Sequence, residues 1–424
     1  MLQTAHRWED MFRLTNLAFK LVGVNMSGSN SSDFLTVLKE TWWFYISTLW
    51  MYTDVLGECY WFFEGVQTNK SFSELTFVAP CIVIGFVATA KVTAVLYNRN
   101  TTRKLLDILK ELYPANAKVA PDDDVAEGNK IKEERDAELD EEETNVIEDS
   151  RNLSMKVVNI LFWTNVATMV VFNFSPMAVM LYTYSKTKKI ELGLPFIIKY
   201  PFDAFQLKVY PWVYLHQAWS STAAVISLFA GDTMYCLSCT QLHLQFHLLR
   251  IRFQKLLTLA DERDEEGVRR NLIDLMKQHQ VLIRLVEMLE QIYTKSNFCN
   301  YICSSGLICL TGFNVTTNSD TVVVMSFLVF LSSNVSQVFL LCYFGDMVSR
   351  SSMEIANGIC NSCWYKMPVK IKRTLLFVMM RCRKPCRITA FKYVTVDLTT
   401  FTKVLSTAWS YFALLRTMYT PSMH

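Results

Sequence analysis

Several ionisable side chains fall inside stretches that are otherwise apolar enough to cross a bilayer, and four of them, away from the last span, stand out. Asp54 and Glu58 lie one helical turn apart, and Lys91 and Asp232 lie further along. A charge within a membrane is costly, so such residues pair, lie near an interface or serve a site. A proton relay needs a longer chain of groups than these four supply. Among the cysteines, Cys360-x2-Cys363 followed by Cys382-x3-Cys386 has the spacing of a zinc ribbon. The intervening residues, 364–381, read as a basic amphipathic helix rather than paired strands, so free thiols open to palmitoylation are the plainer reading. Cys236 and Cys239, one turn apart, read as packing residues. His243 and His247 share a helix face without a third ligand or a catalytic Glu between them. No nucleophile elbow, phosphate loop or metalloprotease motif is present. Nothing here argues for an enzyme, and no cofactor is implied.

The elements that must carry these residues are long. Of 424 residues, 51% are hydrophobic and 19% charged, which a soluble chain could match. The arrangement decides, because the apolar residues gather in blocks near the ~20 residues a crossing helix needs. Spans are expected at 41–62, 72–97, 155–182, 209–236, 298–317, 321–347 and 390–419. Trp42, Trp43, Trp61, Phe62 and Phe63 bracket the first. The fifth and seventh are polar enough to escape a strict hydropathy criterion, so they pack on other helices or face water. The fold expected is all-α and polytopic, with segments 1–40, 41–236 (its polar connection at 98–152), 237–297, 298–347, 348–389 and 390–424.

Orientation follows from the connections. The amino-terminal tail and the second, fourth and sixth connections hold 31 Lys and Arg, and the opposite side holds 7. Positive residues stay inside, which places the amino terminus in the cytoplasm and His424 outside. Residues 1–38 carry scattered charges and no signal-peptide core. Their stripe Trp8, Met11, Phe12, Leu14, Leu17, Ala18, Leu21 either lies on the inner membrane face or packs on the core. Net charge of +3 does not suggest nucleic acid.

In the second connection, the acidic run Pro121–Asp149 reads as a disordered loop. In the fourth, Leu242–Leu257 and Leu272–Ile292 place apolar residues at helical spacing among charges, which predicts a cytoplasmic hairpin packed on itself. The last span bears two polar stripes. One is Thr395, Thr399, Thr402, Ser406, Ser410, Thr417; the other is Thr400, Lys403, Thr407, Tyr411, Leu414, Met418. Either they mediate helix packing, or one lines a water-filled path with an apolar constriction.

At this carboxyl-terminal stretch the chain resembles the insect odorant receptors. Gly345-Asp346, Trp364-Tyr365, the basic 370–373 segment, Met380-Arg381, Lys384-Pro385, Phe401 and Ser410-Tyr411-Phe412-x-Leu414-Leu415-Arg416 follow that family's closing order. Asp232, Leu242-His243 and Gln245-Phe246 resemble its fourth-helix segment. The resemblance implies an odorant-gated, non-selective cation channel of four subunits in the plasma membrane of olfactory neurons. One last helix per subunit would line the pore through Leu414, Thr417 and Met418, leaving the Ser/Thr stripe as a packing face. The hairpin and the 364–381 helix would anchor the subunits. The short fourth connection implies a tuning subunit that works with a co-receptor. A small volatile odorant would bind in the outer half of the bundle, among Phe77, Cys81, Val170, Phe174, Met177, Trp212, Tyr214 and Phe327.

Other readings fare worse. A gustatory receptor should show Tyr…Gln-Phe in the final helix, where this chain has Tyr411-Phe412-Ala413-Leu414. A G-protein-coupled receptor has the opposite orientation. A secondary transporter should show an internal repeat and broken helices.

Overall fold

A computed structural model describes residues 2–25, 34–113, 130–188, 192–259 and 265–419. Ten α-helices appear among them: α1 (Leu2–Val22), α2 (Phe34–Gln67), α3 (Phe72–Tyr97), α4 (Arg99–Leu112), α5 (Lys130–Thr187), α6 (Tyr210–Leu259), α7 (Glu265–Thr317), α8 (Thr321–Cys360), α9 (Val369–Cys382) and α10 (Leu398–Tyr419). Local chemistry sets several boundaries. Ser71 caps α3 by accepting from the Glu74 amide while its hydroxyl donates to the Glu74 carboxylate. Asp320 accepts from the Val322 amide and opens α8. Pro368 ends the preceding turn and allows α9 to start at Val369.

By length and composition α3, α5, α6, α7 and α8 could cross a membrane. Among the seven expected spans those that fall short are α2 and α10, so it is the first span, not the fifth, that joins the seventh below that criterion. The last span also starts later than expected. Residues 389–395 form a small antiparallel hairpin, β1 (Thr389–Ala390) with β2 (Val394–Thr395), before α10 begins. Phe391 and Lys392 take positive φ at its tip, and the Phe391 amide donates to Thr294 Oγ1 on α7 at 2.7 Å.

Helix α6 is the axis of the molecule. From Phe229 to Leu242 every residue is buried, although five are polar. A helix covered on all sides must satisfy its polar groups internally. Thr233, Ser238 and Thr240 do so by donating to carbonyls one turn back. Against this helix Lys91 of α3 reaches Asp232 at 2.6 Å, and Gln337 of α8 donates to the other carboxylate oxygen at 2.7 Å. Gly231 permits the approach, since a Cβ there would lie 2.9 Å from the Lys91 Cβ.

Of the two placements open to the amino-terminal stripe, the structure takes the packed one. Trp8, Met11, Phe12 and Ala18 are buried, with Trp8 stacked on Phe12 and edge-on to Tyr113. Leu17 and Leu21 nevertheless project outward. Part of the acidic run is likewise a helix, not a loop. From Lys130 onward it belongs to α5, and Asp140, Glu142 and Glu143 pair with Lys255, Arg250 and Arg252 on the inner extension of α6. Composition counts like charges within a segment; the opposite charges that neutralise them lie more than a hundred residues away. Residues 122–124 of the run fall outside the described residues.

Candidate ligand-binding site

In the outer half of the bundle α2, α3, α5, α6 and α8 line a partly open apolar cavity of about 90 Å³, adjoining a smaller space of about 30 Å³ that shares Glu58, Cys81, Phe172, Phe196 and Phe330 with it. Its sides are aromatic. Phe77 meets Phe327 edge-on with centroids 4.9 Å apart, and Phe172 meets Phe330 at 5.7 Å. Phe196 lies parallel to Phe172. It comes from the connection between α5 and α6, which folds back as a roof. Gln217, fully buried in α6, holds that roof by accepting from the Phe196 amide at 3.0 Å. Its amide also donates to the Phe196 carbonyl and the Tyr200 hydroxyl. Aromatic walls with few polar groups suit a small lipophilic ligand.

Two carboxyl groups face this space. Asp54 has His216 Nδ1 at 2.9 Å and accepts from the Tyr200 hydroxyl at 3.3 Å. Glu58, one turn outward, is 4% exposed and walls both parts of the cavity. Toward the cytoplasm, a polar cavity of about 60 Å³ shares Ile84, Thr168, Val225 and Phe330 with the aromatic one. Asp232, Asn300, Asn334 and Gln337 line it. A larger void of about 110 Å³ beside α1 and Trp219 is walled without any titratable group.

Of the residues expected to contact a ligand, Phe77, Cys81 and Phe327 line the aromatic cavity. Tyr214 stands behind its wall and donates to the Asn173 carbonyl. Val170, Phe174, Met177 and Trp212 point outward, Trp212 being 72% exposed. The inner face of α5 carries Thr168, Met169, Phe172 and Asn173 instead. In a bilayer an outward face is as apolar as an inward one, so choosing the apolar side of α5 chose its lipid side. Phe172, Phe196 and Phe330 were not anticipated. Glu58 was visible as an intramembrane acid, but nothing in the spacing joined it to aromatic rings on other helices.

On α10 the inward residues are Thr400, Phe401, Val404, Leu405, Ala408, Phe412 and Leu415. Thr399, Thr402, Ser406 and Ser410 are exposed, with Thr402 and Ser410 hydroxyls donating to carbonyls of their own helix. Within the subunit the Ser/Thr stripe is therefore not the packing face; a third, apolar face is. Leu414, Thr417 and Met418 are also outward, Leu414 by 57% and Met418 by 65%. The cysteines with zinc-ribbon spacing form no metal cluster, and no group of three metal-ligating residues occurs among the described residues. Cys360 is exposed, whereas Cys382 and Cys386 are buried, and burial pushes the Cys382 thiol up to about 11.

The fold defines a polytopic, all-helical membrane protein. Residues 128–409 match the family model described as 7tm Odorant receptor, and the chain belongs to that family. It is 25% identical over 419 residues to odorant receptor 67c of Drosophila melanogaster, covering 98% of each chain. To putative odorant receptor 92a of the same fly it is 27% identical, covering 97% of this chain and 96% of the other. Among solved structures, the insect olfactory receptor OR5 from Machilis hrabei in complex with eugenol superposes with a TM-score of 0.77 at 14% identity. That match covers 98% of this chain and 99% of the other, and shares its fold.

Proposed function

We propose that this chain is the odorant-tuning subunit of a ligand-gated, non-selective cation channel in the plasma membrane. A small volatile molecule binds in the aromatic cavity, and the pore forms where α10 helices of four subunits meet, at Leu414, Thr417 and Met418. The observation that carries the reading is the outward face of α10. Apart from Thr395, which is half-buried, and the buried Thr400, the two polar stripes and the apolar tip are exposed among the described residues, as expected of a helix completed by assembly. Helix α9 supports it. Ile371, Leu375 and Val378 pack on the molecule while Val369, Phe377 and Met380 stand exposed on its other side. An exposed apolar face of this kind marks an interface, here with co-receptor subunits.

Ligand binding reaches α10 through α8. That helix gives Phe327 and Phe330 to the cavity and, further in, packs Phe339 against Phe401 of α10 at 5.5 Å. At the outer end Tyr419 stacks on Phe72 of α3 at 3.9 Å. The test is whole-cell recording with and without a co-receptor while G-protein signalling is blocked. Odorant-evoked current that persists under the block and needs the co-receptor is expected; loss of all current under the block would sink the channel reading.

A further inference from the structure

We infer that Glu58 is the specificity-determining residue of the cavity and selects a small lipophilic amine. This rests on the cavity being the odorant site, as proposed above. Glu58 is buried at 4% exposure within a membrane-spanning helix, and among the described residues no hydrogen bond or ion pair reaches its carboxyl group. A carboxyl in such surroundings demands a partner. The neighbouring bases are engaged elsewhere: His216 is against Asp54, Lys199 against Glu64, and Lys91 against Asp232. No Lys or Arg lines either part of the cavity. Asp54, the second acid on the wall, adds negative character and already has His216 and Tyr200.

The missing partner must therefore arrive with the ligand. A primary amine supplies two or more N–H donors and can meet both carboxyl oxygens. A ketone or ester brings no donor and leaves at least one oxygen unmet. Whether the proton rides on nitrogen or on oxygen, the amine–carboxyl pair is neutral as a whole, which suits the low-dielectric interior. Around Glu58, the rings of Phe77, Phe172, Phe196, Phe327 and Phe330 come from four separate segments. A carboxyl set among phenyl rings is the chemistry that recognises ammonium groups, through ion pairing and ring-face attraction. The apolar body of the ligand then fills the remainder of the cavity toward Ile84 and Val225.

The test compares cyclohexylamine, cyclohexanol, cyclohexanone and methylcyclohexane, which share one skeleton. The full chain is expressed with its co-receptor, and currents and thermal stabilisation of the purified complex are read in parallel. Cyclohexylamine should have the lowest half-maximal concentration, by roughly tenfold or more, as a hydrogen bond to a charged group contributes. The isosteric Glu58→Gln should abolish that preference while surface-labelled protein stays near the wild-type level, showing a folded chain. Glu58→Asp should restore part of it. Equal potency of amine and ketone in the wild type, or an amine preference that survives Glu58→Gln, would overturn the inference. Amine stabilisation lost in Glu58→Gln, but without any current, would support the inference and count against the channel reading. Absence of both amine stabilisation and amine current would overturn the inference.

Discussion

Lys91 and Asp232 meet 2.6 Å apart with almost no exposure on either side chain, so each exists at its depth because the other does. Removing one partner of a buried pair typically costs about 3–5 kcal/mol, whereas replacing both with apolar residues can be nearly neutral. Asp232→Asn or Lys91→Met alone should therefore sharply reduce surface-labelled protein. Lys91→Met with Asp232→Leu should recover much of it, even though Gln337 then loses an acceptor. Surface biotinylation reads both outcomes. Gln217 makes a different kind of residue-scale prediction. Gln217→Leu leaves the Phe196 backbone and Tyr200 without their shared partner. Surface level should stay near wild type while the half-maximal odorant concentration rises several-fold, by about 1 kcal/mol in binding. An unchanged dose–response curve would show that the roof does not depend on this side chain.

At the scale of elements, the inner ends of α5 and α6 form a zipper of opposite charge, from Asp140 against Lys255 to Glu142 against Arg250. Partly exposed pairs contribute little individually, about 0–1 kcal/mol each. Glu142→Arg should thus loosen the α5 stem only modestly, and adding Arg250→Glu should restore it; protease sensitivity of the stem measures both. Nearby, burial pushes His243 down to about 4, with His247 adding to the effect, and burial likewise lowers His279 to about 4. Glu354 is held below its ordinary value chiefly by its hydrogen bond from His247. The signs follow directly. As pH falls through 6.5 the unfolded chain binds protons that folded His243 refuses until about 4, so stability is full above 6.5 and declines below it. The Glu354 contribution is present above 4.5 and disappears only at lower pH. Melting temperature of the purified protein should therefore drop between pH 6.5 and 4.5, and His243→Gln should flatten that slope. The helices themselves were legible in sequence because apolar blocks are local signals. The α5 stem was not, since its neutralising partners are remote in the chain.

For the whole molecule, the proposed assembly would give α9 and α10 their partners. Phe377→Lys with Met380→Lys should leave the single chain folded, because neither residue is buried, but should abolish co-purification with the co-receptor. Leu414→Ala and Met418→Ala should each alter gating or relative permeability; unchanged currents after both would remove these side chains from the pore. The all-helical, polytopic fold was readable from apolar blocks, although the first and last spans fall below the hydropathy criterion. The cavity was only half readable. Phe77, Cys81 and Phe327 were named from depth in the bundle, but α5 was read in the wrong phase because lipid and protein interior present the same apolar demand. The two stripes of α10 were read as polar faces, yet which face packs depended on neighbours that no periodicity reveals.

The all-round burial of α6 also bears on how the chain is made. This helix leaves the ribosome after α3 but before α7 and α8, so Asp232 can meet Lys91 early while Gln337 does not yet exist. Until α8 arrives, a polar-studded helix must wait beside the insertion machinery without half of its protein surroundings. Completion of the bundle is thereby tied to completion of translation, and chains truncated after α7 should be retained and degraded rather than exported.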